Sequence, residues 1–303
     1  MNVDYVIQTK HLTVKVGGKT ILNDISLDVP RHSIYGFLGP NGAGKTTLIR
    51  ALLNLLTSQR GSVKILNSNP SSNRIELMKR TGCLVERPLL YPHLTGIENL
   101  TIYQKAFRLP KQNIESALEM VQMREHGHQK TGTYSLGMKQ RMGMAIALIQ
   151  DPELLILDEP ANGLDPGGIK EIREIILDLQ KHHNKSIFIS SHLLSEVEKI
   201  STHVGVINRG KLLFQGLLSD LGKIKENTIR IETSRPAALT QILNNRNGNT
   251  FKRNGKYVDI TLCSKEEIPS LIKEITHHDI PVYQIFDQVN PGLEDAFFNL
   301  LNQ

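Results

Sequence analysis

Cysteine is nearly absent from this 303-residue chain, which has only Cys83 and Cys263, far apart and outside any CxxC spacing. That argues against a disulfide framework and against a zinc cage, and it fits a reducing compartment. Long apolar runs are missing too. The stretch Leu154 to Leu157 is far shorter than the roughly 18 to 20 residues a bilayer span needs, so no membrane-spanning helix is expected. The opening residues, MNVDYVIQTK, carry Asp4 and lack a basic stretch followed by an apolar core, which speaks against a secretory leader. No internal repeat, low-complexity tract or long heptad coil stands out.

What remains is an ordinary globular composition, 39% hydrophobic and 22% charged, in a chain long enough for one large domain with a smaller companion. The net charge of +6 arises in the larger part. Residues 1–220 hold 26 Lys and Arg against 20 Asp and Glu, and residues 221–303 hold 10 against 10. Such an excess suits nucleotides, anionic lipid or nucleic acid, and equally a solvated mixed surface, so charge alone decides nothing.

Apolar and polar residues alternate from Leu12 to Val16 and from Ile21 to Val29 around Gly17-Gly18, which predicts an antiparallel hairpin. Ser33 to Leu38 reads as a short buried strand, followed by a glycine-rich turn and a helix over Lys45 to Leu56. Residues 97–108 and 114–123 have helical apolar spacing with Pro110 between them, which suggests a small helical subdomain. Helices over 138–149 and 168–182 alternate with strands over 154–158 and 186–190, the pattern of a parallel core sheet. The tail reads as strand 228–233, helix 236–244, hairpin 249–262, helix 265–277, strand 281–286 and helix 291–301, a ferredoxin-like βαββαβ order with a final helix.

Two segments carry chemistry. Gly39-Pro40-Asn41-Gly42-Ala43-Gly44-Lys45-Thr46, continued by Thr47, matches the phosphate-loop pattern and sits between an apolar strand and a helix. Its glycines let successive N–H groups face phosphates, the helix start adds a favourable dipole, Lys45 supplies a mobile positive charge, and the Thr46 hydroxyl suits magnesium. Further on, Leu154-Leu-Ile-Leu-Asp158-Glu159-Pro160 delivers two acids at the carboxyl end of a strand, where α/β sheets bind ligands. There Asp158 suits the magnesium shell, and Glu159 is the candidate that polarises the attacking water.

Between them, Tyr134-Ser135-Leu136-Gly137-Met138-Lys139-Gln140-Arg141 resembles the signature sequence of the ABC ATPases. Read alone, Ser135 is a helix cap and, with the Gly137 backbone, a second anion site at a helix start. The resemblance implies that this segment closes on ATP held by an opposing cassette, so a second copy of the chain is an expected partner. Asn162-Gly-Leu-Asp165 is similar to the family's D-loop, and Ser190-Ser191-His192 to its switch histidine, which would place His192 at the γ-phosphate. Two positions depart from the family. Glu86, in Cys83-Leu-Val-Glu86-Arg-Pro, stands where most members carry glutamine; it keeps an oxygen for magnesium and adds negative charge. Val16 stands where an aromatic ring often stacks on adenine.

The resemblance implies an α/β nucleotide-binding domain over residues 1–220, with a mixed core sheet, an antiparallel β subdomain and a helical subdomain. A smaller α+β domain is expected over 221–303. It also implies ATP and Mg2+ as cofactors, a separately encoded membrane permease as partner, and a peripheral place on the cytoplasmic face of the membrane. Glu86, Leu94-Thr95-Gly-Ile-Glu98-Asn, the SLGMKQR signature and the tail Gly292-Leu-Glu-Asp-Ala-Phe-Phe resemble the bacitracin and lantibiotic self-protection transporter ATPases. Export of a peptide antibiotic is the function this implies. Another multidrug or lipid exporter shares these local forms, and a non-transport ABC ATPase of ribosomes or nucleic acid is the rival of another class. Against that rival, the chain has neither two cassettes nor a long coil, and no nucleic-acid partner is expected. Glu159 argues for an enzyme over a pure binding module.

Overall fold

A computed structural model describes residues 4–85, 88–221, 227–244, 250–262, 265–287 and 293–301. The chain divides into two compact units, Met1–Leu218 and Ser219–Gln303.

The first unit is organised by a six-stranded sheet. Its strands run in the order Thr81–Leu84, Leu154–Asp158, Ser186–Ser191, Ile34–Leu38, His203–Asn208 and Lys211–Leu217. The first five are parallel, and the last pairs antiparallel to its neighbour. Every residue of Ile34–Leu38 and of Leu154–Asp158 is buried. Continuous apolar runs of this kind belong to parallel strands covered on both faces.

The period of two in these strands separates two cores. Leu155, Leu157, Ile187 and Ile189 join a cluster with the helical residues Leu100, Leu118, Met142, Ile172 and Leu179. Leu154, Ile156, Phe188 and Phe37 face the other way, into a cluster with Val14, Leu22, Leu27 and Leu48. The second layer is a three-stranded antiparallel sheet, in which Tyr5–Val16 lies between Lys19–Pro30 and Arg60–Ile65. Val16 pairs with Lys19 across the glycine turn.

Helices Gly96–Ala106, Gln112–Met120 and Leu136–Leu148 contribute to the first of these cores. The first begins with a capping box, in which Thr95 and Glu98 satisfy each other's backbone N–H groups. The phosphate-loop helix is shorter than its sequence predicts. It runs from Lys45 to Leu52 rather than to Leu56. Asn54 takes the left-handed conformation at φ 55°, and the N–H groups of Leu55 and Leu56 both turn back to the Arg50 carbonyl.

In the second unit, four antiparallel strands lie in the order Thr250–Asn254, Tyr257–Leu262, Asn227–Glu232 and Gln284–Asp287. Two interlocked strand-helix-strand units give this order, with the first and third strands central. Ile229, Ile231, Val258 and Ile260 form one core with Leu239 and Leu243 of helix Pro236–Asn244 and Leu271 and Ile275 of helix Ile268–His277. A last helix spans Leu293–Leu301. Among the described residues, no helix is long and apolar enough to cross a membrane.

Candidate functional site

Two parallel strands end side by side, with Asp158 of one in register with Ser190 of the other, and Leu38 of a third is paired with Ser191. The chain therefore delivers Asp158-Glu159, Ser190-Ser191-His192 and the loop after Leu38 to one edge of the sheet, the carboxyl edge where open α/β sheets bind ligands.

The loop is tied down at both sides. Gly39 N–H donates to the Ser191 carbonyl at 3.3 Å, and Gly210 N–H donates to the Ala43 carbonyl at 2.9 Å. Gly39 and Gly44 are required by space. A Cβ on Gly39 would lie 2.3 Å from the Ile207 carbonyl oxygen, and one on Gly44 would lie 2.8 Å from Leu22 Cδ2 at a φ of +114°. Gly44 caps the helix without a side chain, and the first turn contains no acid. The N–H groups of a helix start have no intrahelical acceptor, so this turn is suited to an anion.

Lys45 is 6% exposed. Its Nζ donates to the carbonyls of Gly39 at 2.7 Å and Pro40 at 3.3 Å. It also lies 3.1 Å from Glu159 Oε1, while Glu159 Oε2 lies 2.6 Å from His192 Nδ1. One carboxylate thus bridges the ammonium and the imidazole. Glu159 itself sits at φ +49°, a left-handed conformation that a non-glycine residue adopts only when its surroundings hold it there. Its N–H donates both to the Ser190 carbonyl at 3.2 Å and to Ser190 Oγ at 3.0 Å. The Ser190 hydroxyl donates in turn to Asp158 Oδ1, and both of these residues are buried.

A cleft of about 510 Å³ opens beside Glu159 and Asn162. Asn41, Gly42, Gly44, Lys45, Thr46 and Thr47 of the glycine-rich loop and helix start give it one wall, and Val16, Ile21 and Leu56 give it an aliphatic one, with Arg50 also at its edge. Among the described residues, no group of three or more His, Cys, Asp or Glu side chains is arranged to hold a metal. A magnesium ion that travels with a triphosphate needs no such cage, only one or two hard oxygen donors besides phosphate and water. The Thr46 hydroxyl and the Asp158 carboxylate are donors of that kind, so the residues present fit it.

Other candidates stand elsewhere. Ser135, Gly137 and Asp165 do not line this cleft. Ser135 caps helix Leu136–Leu148 by accepting from Met138 N–H at 3.2 Å, and Asp165 caps Pro166–Lys181 by accepting from Gly168 N–H at 3.3 Å. Both capping residues are exposed, and the two segments are neighbours, since a Cβ on Gly163 would lie 3.5 Å from Leu136 Cδ2. Glu86, Cys263 and Gly292 lie outside the described residues. Ser190 is the residue that motif reading passes over, naming it only as a neighbour of His192. Its signal is its place one residue after a buried apolar run, in register with Asp158, and that register is legible only once the strands are paired.

Residues 22–162 match the family model described as ABC transporter. The chain is 36% identical over 98% of its length, and 96% of the relative's, to the uncharacterized ABC transporter ATP-binding protein YhcH of Bacillus subtilis. It is 48% identical to the bacitracin transport ATP-binding protein BcrA of Bacillus licheniformis, over 69% of this chain and 68% of that one. Among solved structures, an ATP-binding subunit of an ABC transporter superposes with a TM-score of 0.64 at 26% identity, covering 72% of this chain and 92% of the other.

Proposed function

The chain belongs to the ABC transporter ATP-binding proteins, and from that premise we propose that it powers export of a peptide antibiotic as the ATPase subunit of a self-protection transporter. ATP binding and hydrolysis are the activity of the family. The observation that carries the catalytic reading is the bridge of Glu159 between Lys45 at 3.1 Å and His192 at 2.6 Å, on the lip of a glycine-walled cleft.

The geometry translates into roles. The phosphates of ATP lie along Gly39 to Thr47, where N–H groups and the Lys45 ammonium compensate their charge. As Lys45 turns to the phosphates it releases the Glu159 carboxylate, which then accepts hydrogen bonds from the attacking water and polarises it. His192, hydrogen-bonded to Glu159 through Nδ1, presents its other ring nitrogen for the γ-phosphate. Thr46 and Asp158 would hold magnesium, with Glu86 as the further oxygen donor that the sequence offers, and the ion when bound would neutralise charge on the terminal phosphates.

Helix starts at the exposed Ser135, with Gly137 in the first turn, and at the exposed Asp165, outside the lining of the chain's own cleft, suit contact with a nucleotide on a second copy. Two cassettes with ATP between them is the working assembly, docked on a separately encoded permease at the cytoplasmic face of the membrane. Similarity to BcrA, a bacitracin transport protein, supports the cargo class.

The test is survival of cells expressing this chain with its permease against a panel of peptide antibiotics, with ATP turnover measured in parallel. Glu159→Gln should keep ATP binding, lose protection, and lower turnover by about 10²- to 10⁴-fold, the span of a positioned general base. Ordinary turnover in the variant removes the role given to Glu159. Unchanged survival with and without the wild-type chain redirects the cargo to another exported class.

A further inference from the structure

One side chain to which motif reading gives no role hydrogen-bonds both acids of this site, the Asp158 carboxylate and the Glu159 backbone. Ser190 is fully buried and is the penultimate residue of the strand Ser186–Ser191. A hydroxyl has a single proton to donate, and here it goes to Asp158 Oδ1. The oxygen then receives the N–H of Glu159 at 3.0 Å. The result is a relay from backbone N–H through hydroxyl to carboxylate that orients two consecutive residues from across the sheet. The next serine is used differently. Ser191 Oγ receives Leu193 N–H at 3.0 Å and donates to the Leu193 carbonyl at 3.3 Å, a local turn with no reach to the acids.

The backbone of Glu159 makes this relay consequential. A glutamate at φ +49° carries strain that only fixed neighbours sustain. Its N–H is anchored solely by the carbonyl and hydroxyl of Ser190 among the hydrogen bonds described. The direction in which the Glu159 side chain leaves that backbone is what brings its oxygens to Lys45 and His192.

We propose that Ser190 is a positioning residue for hydrolysis, whose hydroxyl sets the Asp158 carboxylate and the Glu159 backbone in register with each other. This rests on the roles given above to Asp158 and Glu159. Removing the hydroxyl leaves the strand ladder intact but leaves a buried carboxylate oxygen without that donor and Glu159 N–H on the carbonyl alone. Partners of this kind, one step behind the reacting groups, change metal affinity or activity by about 10- to 100-fold.

The experiment uses the full-length chain carrying Ser190→Ala, Ser190→Thr or Ser190→Cys. For Ser190→Ala, kcat for ATP falls about 10- to 100-fold while KM stays within about threefold, and the thermal midpoint falls by about 2–10 °C with the buried acceptor unpaired. Mn2+ binding to the ADP-loaded protein, read by electron paramagnetic resonance, weakens about tenfold. Threonine restores the hydroxyl and with it most of kcat and Mn2+ affinity. Cysteine keeps the volume with a weaker donor and behaves like alanine, which keeps the test open should alanine not fold. Wild-type kcat and Mn2+ affinity in Ser190→Ala or Ser190→Cys overturn the proposal, as does a threonine variant as impaired as alanine. A wild-type chain without ATP turnover would instead defeat the catalytic reading, and the Mn2+ measurement would still decide the role of Ser190.

Discussion

The parallel sheet and the antiparallel sheets of this protein use the same apolar residues to different ends. Leu154–Asp158 is buried at every position, whereas Tyr257–Leu262 alternates a half-buried residue with a buried one along its length. A strand covered on both faces has nowhere along it for polar chemistry, so the acids, the histidine and the phosphate loop all collect at strand ends. A strand covered on one face keeps polar groups along its whole length. In the tail those groups largely satisfy each other. Arg230 makes two hydrogen bonds to Asp259, at 2.6 and 2.9 Å, and its guanidinium carbon lies 5.6 Å from the Tyr257 ring centre. Position along a strand therefore carries function in one sheet, and position across a face carries stability in the other.

The largest test of that contrast is Ile260→Ala. Ile260 is fully buried in the tail core with Ile229, Leu239 and Leu271, and such a truncation costs about 2–5 kcal/mol. We expect thermal unfolding followed by hydrogen exchange to show early loss of protection within 227–287, with ATP turnover of the full chain within about twofold of wild type. A matching fall in turnover would break the contrast by tying the tail sheet to the chemistry.

The same contrast explains what the sequence discloses. The runs ending at Leu38 and Asp158 are visible because burial on both faces writes an unbroken apolar string, and Gly39 to Thr46 is visible because sterics at Gly39 and Gly44 permit only glycine. Strands with weaker strings go unread. Arg60–Ile65 is largely exposed, and Thr81–Leu84 has only four residues. His203–Asn208 and Lys211–Leu217 complete the sheet from beyond the last motif. The link from Ser190 to Asp158 spans 32 residues, and non-local pairing of that kind leaves no mark on local periodicity. The end of the phosphate-loop helix is hidden for a related reason, since Leu55 and Leu56 suit a helix but their N–H groups return to Arg50.

A smaller effect is expected where an antiparallel sheet lines the candidate nucleotide cleft. Val16 is the last residue of its strand, 46% exposed, and it shares the cleft with Ile21 and Leu56. Aliphatic walls of this sort discriminate poorly between bases. A ring at this position adds stacking worth about 1–3 kcal/mol per base in other systems, and it does so for any base. Val16→Tyr should therefore lower KM for ATP and for GTP by about 3- to 10-fold each, leaving their ratio nearly unchanged and kcat unaffected. Steady-state kinetics with both nucleotides decides it. An unchanged KM would mean that the base lies elsewhere, and a change confined to ATP would mean that the site reads the base edge.

The smallest effect sharpens the contrast inside the parallel sheet itself, at the end of the strand opposite the acids. Glu153 precedes Leu154–Asp158 and joins segments far apart in the chain, with Arg80 Nε at 2.6 Å and Arg31 Nη1 at 3.1 Å. The hydrogen bond from Arg80 is the main reason its carboxyl is held below the ordinary glutamate range, with Arg31 adding to it against the cost of partial burial. A carboxyl depressed in the folded state stabilises the fold above the unfolded pKa, and that stability is lost as pH falls through the folded value. The group is half-exposed, so screening limits the contribution to about 0.2–1 kcal/mol. Glu153→Gln should accordingly lower the thermal midpoint by about 1–3 °C near pH 7. The difference from wild type should shrink as pH falls below about 4. Added salt should shrink it as well, and turnover should not change, because this end of the strand holds the sheet together and the other end carries the proposed catalytic acids. A loss of turnover equal to that of a site residue would show that strand ends in this sheet are not divided in that way.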